Sequence, residues 1–144
     1  SDKIRNWNEI YGKKGFFQYQ LVIPYNCSVD IIYKILHLLK RNNAIPYLAV
    51  LKNMKKDRGW LSFSLDGISL ALDIPYSKNS RKLTNKIDNL IVSNRGKVYL
   101  TKDSFLNKKN FKHMYPKYIK FQNLRSKFKL NKFESIQSKR LGIR

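Results

Sequence analysis

An α+β fold, with a largely antiparallel sheet that carries helices on one face and is followed by a helical C-terminal segment, is predicted by three features of the sequence. Four apolar segments of strand length, at residues 15–24, 46–53, 60–64 and 69–74, are rich in β-branched and aromatic residues and separated by turn-forming stretches. Two further stretches repeat their apolar residues at the helical period. Beyond Lys102 the pattern changes: lysines dominate, no strong strand remains, and short helices are the expectation.

The first strand, residues 15–24, is stopped by Pro24. Its two-residue alternation puts Phe16, Gln18, Gln20 and Val22 on one face and Phe17, Tyr19 and Leu21 on the other. Two glutamines side by side on a half-apolar face need hydrogen-bond partners, and a cross-strand structural role is the simpler reading of these residues alone. Ser28 is a candidate N-cap, with Asp30 favourable in the first turn, for a helix to about Arg41 that carries Ile31, Ile32, Ile35, Leu38 and Leu39. His37 beside that stripe reads as a surface or packed histidine. Residues 46–53, 60–64 and 69–74 then suggest an antiparallel meander. Leu83, Ile87, Leu90 and Ile91 mark a second amphipathic helix closed by Gly96.

A short strand, Val98-Tyr99-Leu100-Thr101-Lys102-Asp103, comes next and delivers a tyrosine and a lysine at its end. Of 22 lysines in the chain most read as solvated, whereas Lys102 leaves a packed element. In residues 104–144 two or three short helices are expected, with Pro116 suited to a first helical turn. Phe121, Leu124, Phe128 and Leu130 are apolar anchors without a stripe wide enough for an independent core, so this tail should lie against something else.

Composition bounds the function. At 144 residues the chain fits one domain able to bury roughly 68–70% of its unfolded surface. A single cysteine, Cys27, excludes an intrachain disulfide and fits a reducing, cytoplasmic compartment. Two histidines with that cysteine are too few for a zinc site. The longest apolar runs are strand-length, so no membrane-spanning helix and no signal peptide are expected. The net charge of +21 suggests a polyanion as partner, either nucleic acid or an anionic membrane surface. The chain is equally rich in asparagine and isoleucine, 14 of each, and A/T-rich codons supply Lys, Asn and Ile together. Base composition is therefore a competing source of the charge. A small basic nucleic-acid-binding module is the alternative reading, but the aromatics sit at core-periodic positions and no RNA-binding or zinc motif is present.

Seven segments in order resemble the C-terminal half of FAD-linked oxidoreductases of the vanillyl-alcohol oxidase type, in particular the decaprenylphosphoryl-β-D-ribose 2-oxidase-like branch. They are Gly15-Phe16-Phe17-Gln18-Tyr19-Gln20, Leu48-Ala49-Val50-Leu51-Lys52, Leu61-Ser62-Phe63, Leu70-Ala71-Leu72-Asp73-Ile74-Pro75, Tyr99-Leu100-Thr101-Lys102-Asp103, Met114-Tyr115-Pro116 and Ser138-Lys139-Arg140-Leu141-Gly142. The resemblance implies a piece of a longer protein: residues 1–95 as the cap or substrate-binding domain, and residues 96–144 as a segment returning to complete an absent FAD-binding domain. No glycine-rich phosphate loop occurs in these 144 residues, so FAD should not be held tightly by this chain alone. The partner would be the missing FAD-binding domain or subunit, and the substrate a sugar or lipid-linked sugar. A specific nucleic-acid partner is not expected, while the basic tail would favour peripheral association with an anionic membrane.

By the same resemblance Lys102 is the catalytic residue, beside flavin and substrate. A fixed cation there would stabilise the negative charge that reduced flavin gathers near N1–C2=O. Tyr99 and Gln20 would join it around the cofactor, and Gln18, Gln20, Lys52, Ser69 and Tyr99 would bind substrate. Asp103 reads as an orienting partner rather than a base. Ser69, Ala71 and Met54 depart from the family pattern, where mycobacterial members carry asparagine and cysteine at the first two and the family has phenylalanine at the third. All three lie on the substrate side, so a different sugar, alditol or lipid-linked polyol is compatible with the resemblance.

Overall fold

In the computed structural model, which describes Glu9 and residues 11–143, the alternation at the start of the sequence becomes β1 (Phe16–Pro24). Then follow α1 (Ser28–Arg41), β2 (Leu48–Met54), β3 (Gly67–Pro75), α2 (Ser80–Ser93) and the two-residue β4 (Lys97–Val98). The sheet runs β2-β3-β1-β4 and every neighbouring pair is antiparallel. A β-α-β-β-α-β order with β3 and β1 central is the split β-α-β, or ferredoxin-like, arrangement. That fold hosts many unrelated functions, so it decides nothing about chemistry.

One face of the sheet is sealed by helices. Phe17, Tyr19, Leu21 and Ile23 from β1 join Leu70, Leu72 and Ile74 from β3 in a core with Ile31, Ile35 and Leu39 of α1 and Leu83, Ile87 and Ile91 of α2. The alternation and the helical stripes read from the sequence thus meet on one surface.

Several expectations are corrected. Residues 60–64 are not a strand. The loop containing them is held by its own side chains: Gly59 N–H donates to Asp57 Oδ1 at 2.6 Å and Ser64 N–H to Ser62 Oγ at 3.1 Å. Leu61 and Phe63 mimic a strand alternation, but Phe63 packs on Tyr99 with ring centroids 4.9 Å apart. The meander therefore reduces to the β2–β3 hairpin, with β3 inserted beside β1. The strand expected over residues 98–103 stops at Val98. After a last sheet-like bond, Tyr99 N–H to the Gln20 carbonyl at 2.8 Å, the chain turns into a 3₁₀ helix at Leu100–Lys102. Ser28 is the first residue of α1 and not its cap; its hydroxyl bonds the Tyr25 carbonyl at 3.2 Å.

Gly96 closes α2 by a different route from the one expected. Arg95 takes the left-handed position, with φ 56°, and Gly96 N–H reaches the Ile91 carbonyl at 2.9 Å. Glycine is needed at 96 for close approach: a Cβ there would lie 2.6 Å from the Val22 carbonyl oxygen.

The C-terminal segment forms α3 (Lys108–Met114), α4 (Tyr118–Lys127) and α5 (Ile136–Leu141). Pro116 sits in the turn before α4 rather than within its first turn. Leu106, Phe111, Met114, Tyr115, Leu141 and Ile143 belong to the same core as the sheet. In α4, by contrast, Arg125 is the buried residue, while Ile119, Leu124, Phe128, Phe133 and Ile136 on and after that helix are exposed. Among the described residues no helix is long and apolar enough to cross a membrane.

Candidate functional site

The helix-free face of the sheet carries the polar residues. Strand register places Gln18 opposite Asp73, Gln20 opposite Ala71, and Lys52 opposite Ser69, so all of these share that face. Gln20 Nε2 donates to the buried Ser69 Oγ at 2.9 Å, and Gln18 Nε2 donates to Asp73 Oδ1 at 3.1 Å. The other oxygen of Asp73 accepts from the Tyr11 hydroxyl at 3.3 Å. Tyr11 stacks on Phe16 at 3.9 Å and meets Tyr47 edge-on at 5.4 Å, which makes an aromatic wall at that end.

At the other end a cleft of about 500 Å³ lies between the sheet and the 54–64 loop, lined by Gln20, Lys52, Met54, Leu61, Phe63 and Tyr99 among others. The structure therefore brings Gln20, Lys52 and Tyr99 to one cavity, with Ser69 bonded to Gln20. Gln18 lies two residues further along the strand, tied to Asp73. Lys102 does not line this cleft. It closes the 3₁₀ turn three residues past Tyr99, half-buried, with its backbone N–H on the Tyr99 carbonyl at 3.1 Å.

A second network fixes that turn. Asp103 Oδ1 accepts from Phe105 N–H and Leu106 N–H at 2.9 and 2.7 Å, and Asp103 Oδ2 pairs with Arg140 Nη2 at 3.0 Å. Gln137 Nε2 donates to the Leu100 carbonyl at 2.5 Å. The segments Tyr99–Asp103 and Ser138–Gly142, distant in sequence, are thus one structural unit. Tyr115 joins it from below, its hydroxyl donating to the Val98 carbonyl at 2.6 Å, with burial pushing its pKa up.

Three groups escaped the sequence reading. Asp73 interrupts an apolar strand at the same parity as Ser69 and Ala71, a signal that was present in Leu70-Ala71-Leu72-Asp73-Ile74. Lys97 pairs with Val22 across the sheet, half-buried, and donates to the Ser62 carbonyl at 2.7 Å. Asp88 in α2 accepts from Tyr19 Oη at 2.5 Å inside the core, and burial raises its pKa to about 7. Nothing local marks the last two, because their partners are 35 and 69 residues away.

Chemically, the cleft offers the Gln20 amide, the Lys52 ammonium, the Tyr99 phenol, the Asp57 carboxylate and the Ser62 and Ser64 hydroxyls, beside the apolar Met54, Leu61 and Phe63. That set suits a polyhydroxylated ligand, whose hydroxyls need both donors and acceptors. No protein-family model matches the chain. Over 117 residues, 81% of its length, it is 29% identical to decaprenylphosphoryl-β-D-ribose oxidase of Mycolicibacterium smegmatis (strain ATCC 700084 / mc(2)155). The match covers 25% of that protein, so the chain spans about a quarter of the length of the curated relative it matches. What the comparison establishes is a distant similarity to part of an oxidase.

Proposed function

We propose that this chain is the substrate-binding portion of a FAD-dependent oxidoreductase that oxidises a hydroxyl of a sugar or lipid-linked sugar. The observation that carries the reading is the cleft holding Gln20, Lys52 and Tyr99, in a chain similar to an oxidase over four-fifths of its length. The donor set fits one end of the cofactor. Amide, phenol and ammonium donors around Gln20, Tyr99 and the adjoining turn match the hydrogen-bonding edge of a flavin ring, while nothing in the sequence matches its pyrophosphate. When bound, FAD supplies the hydride acceptor.

The chain's own residues then divide the remaining work. Gln20, held by Ser69, and Lys52 orient the sugar hydroxyls. Lys102 supplies fixed positive charge to the ring edge that becomes anionic. Asp103 already accepts hydrogen bonds from two backbone amides and pairs with Arg140, which supports an orienting role and not that of a base. The exposed apolar residues around α4 support an absent FAD-binding domain or subunit as the partner that covers them.

A nucleic-acid-binding reading draws on the +21 charge. Four-stranded RNA-binding sheets stack bases on aromatics of their open face. Here the corresponding positions of the two central strands are Gln18, Gln20, Val22, Ser69, Ala71 and Asp73, with Phe16 stacked on Tyr11 at the margin. That face favours a polar small molecule. The test of the oxidoreductase reading is Lys102→Ala in the complete enzyme. Turnover should fall at least about a hundredfold with the circular dichroism spectrum unchanged, and normal turnover sinks the assignment.

A further inference from the structure

Against the 54–64 loop lies a second cavity of about 430 Å³, which shares Asp57 and Ser64 with the Gln20 cleft but none of the residues assigned to the sugar or flavin. Four cations line it: Lys56, Arg95, Lys97 and Lys117. They come from separate parts of the chain, namely the loop, the α2–β4 turn, β4 and the turn before α4. Trp60, 40% exposed, forms part of the wall. Two acids also line it, so the four cations exceed the carboxylates by two; both acids hold the loop, and the Asp57 charge partly offsets that of Lys97. Asp57 Oδ1 accepts from Gly59 N–H at 2.6 Å, and Asp66 Oδ1 accepts from Lys56 N–H at 3.0 Å.

Lys97 is the member that separates this cavity from an ordinary solvated basic surface. It is half-buried, with its ammonium 5.4 Å from the centre of the Tyr115 ring. Among the described residues its hydrogen-bond acceptor is the Ser62 carbonyl, one acceptor for a group with three N–H donors. Burial lowers its pKa; Asp57 opposes that, and Lys117 and Lys56 add to it, so each of these two lysines is close enough to repel Lys97. Arg95 reaches the cavity from a left-handed backbone position that non-glycine residues occupy at a cost. Clustered like charges, one partly desolvated and short of acceptors, are relieved by an anion placed between them.

We propose that this cavity binds a phosphate ester, the phosphate lying among Lys97, Lys117, Lys56 and Arg95 and the esterified group against Trp60. Lysine and arginine donors with an aromatic wall match that chemistry, and the volume accommodates a ring with one phosphate. The site does not depend on the oxidoreductase reading; it stands on a different cavity and on residues that reading does not use.

The test is calorimetric titration of the 144-residue chain with phenyl phosphate at fixed ionic strength, and with phenol as the uncharged control. One saturable site is expected, weakened at least tenfold in Lys97→Gln and in Lys117→Gln and unchanged in Lys34→Gln on α1. Arg95→Gly guards against misfolding as the explanation. Relief of the left-handed strain should leave it at least as stable as the parent while binding falls severalfold. Vesicles of phosphatidic acid in phosphatidylcholine separate the sources of the ester. Vesicle binding lost in the same variants identifies a lipid headgroup, whereas vesicle binding unchanged while phenyl phosphate binding is lost identifies a soluble ester. No saturable phenyl phosphate binding, or equal binding in all variants, overturns the site.

Discussion

Leu21 and Gln20 are consecutive residues of β1, yet they live in different environments. Leu21 is fully buried under the helices, with Tyr19 and Ile23 beside it at 3% and 0% exposure. Gln20 is half-buried on the opposite face, where it bonds Ser69 and borders a cleft. The two faces of one sheet therefore answer to different demands. The helix-covered face is almost entirely apolar because any polar atom there must find a partner inside the core. The helix-free face keeps amides, a carboxylate, a hydroxyl and an ammonium, whose buried members Asp73 and Ser69 are satisfied by side-chain hydrogen bonds.

Truncating the covered face gives the largest expected effect. Leu21→Ala removes a side chain at 0% exposure between β3 and β4 partners and should cost about 2–5 kcal/mol. Chemical denaturation read by circular dichroism measures it. A loss under 1 kcal/mol would mean that the helices do not close on this face as described.

Asp88 is the exception that sharpens the contrast, since it is a carboxyl group on the covered face at 1% exposure. Tyr19 bonds one of its oxygens, and among the described residues the other has no hydrogen-bond partner. Burial raises its pKa from 3.8 to about 7, with Tyr19 opposing, Asp103 adding and Arg140 opposing. In the window between these values the folded chain binds the proton and the unfolded chain does not. Its contribution to stability is therefore full below about pH 4 and lost as pH rises through 7. The size is on the order of 4 kcal/mol at 1.36 kcal/mol per unit. Asp88→Asn cannot ionise, so unfolding midpoints should become flat across pH 4–8 at this position. The net gain at pH 8 is smaller, about 1–2 kcal/mol, because the new amide N–H₂ meets no acceptor. An Asn variant with the parent's pH slope would assign the titration elsewhere.

The covered face was also the legible one. Phe17, Tyr19 and Leu21 declare their side by alternation, and Ile31, Ile35, Ile87 and Ile91 declare theirs by helical spacing, because burial leaves a periodic trace. Gln18, Gln20 and Lys52 were singled out with help from the resemblance, and register then put them on one face with Ser69. What escaped depends on long-range pairing. The 60–64 segment alternates like a strand, but its backbone is tied to Asp57 and Ser62, which leaves no ladder to join. Lys102 was expected at a strand end. The turn that carries it is set by Asp103 bonding Arg140, 37 residues on, and no local pattern encodes that distance. Asp88 carries no local mark, because its partner Tyr19 lies 69 residues away.

The smallest stability effect belongs to the residue next to Leu21. Gln20→Ala removes one donor from Ser69 Oγ and leaves a small gap on a face that solvent already reaches. A half-exposed neutral hydrogen bond contributes about 1 kcal/mol or less, and the Ser69 hydroxyl can rotate to a new partner. The expected loss is therefore under about 1 kcal/mol, several times below that of Leu21→Ala, with the β1–β3 ladder intact. On the proposed function, the same change in the complete enzyme should raise KM for the sugar severalfold, since it removes the amide that this reading assigns to orienting the hydroxyls. These two readouts separate the faces more sharply than either alone. A stability loss equal to that of Leu21→Ala would make Gln20 a folding residue and remove the reason to regard the helix-free face as a ligand surface.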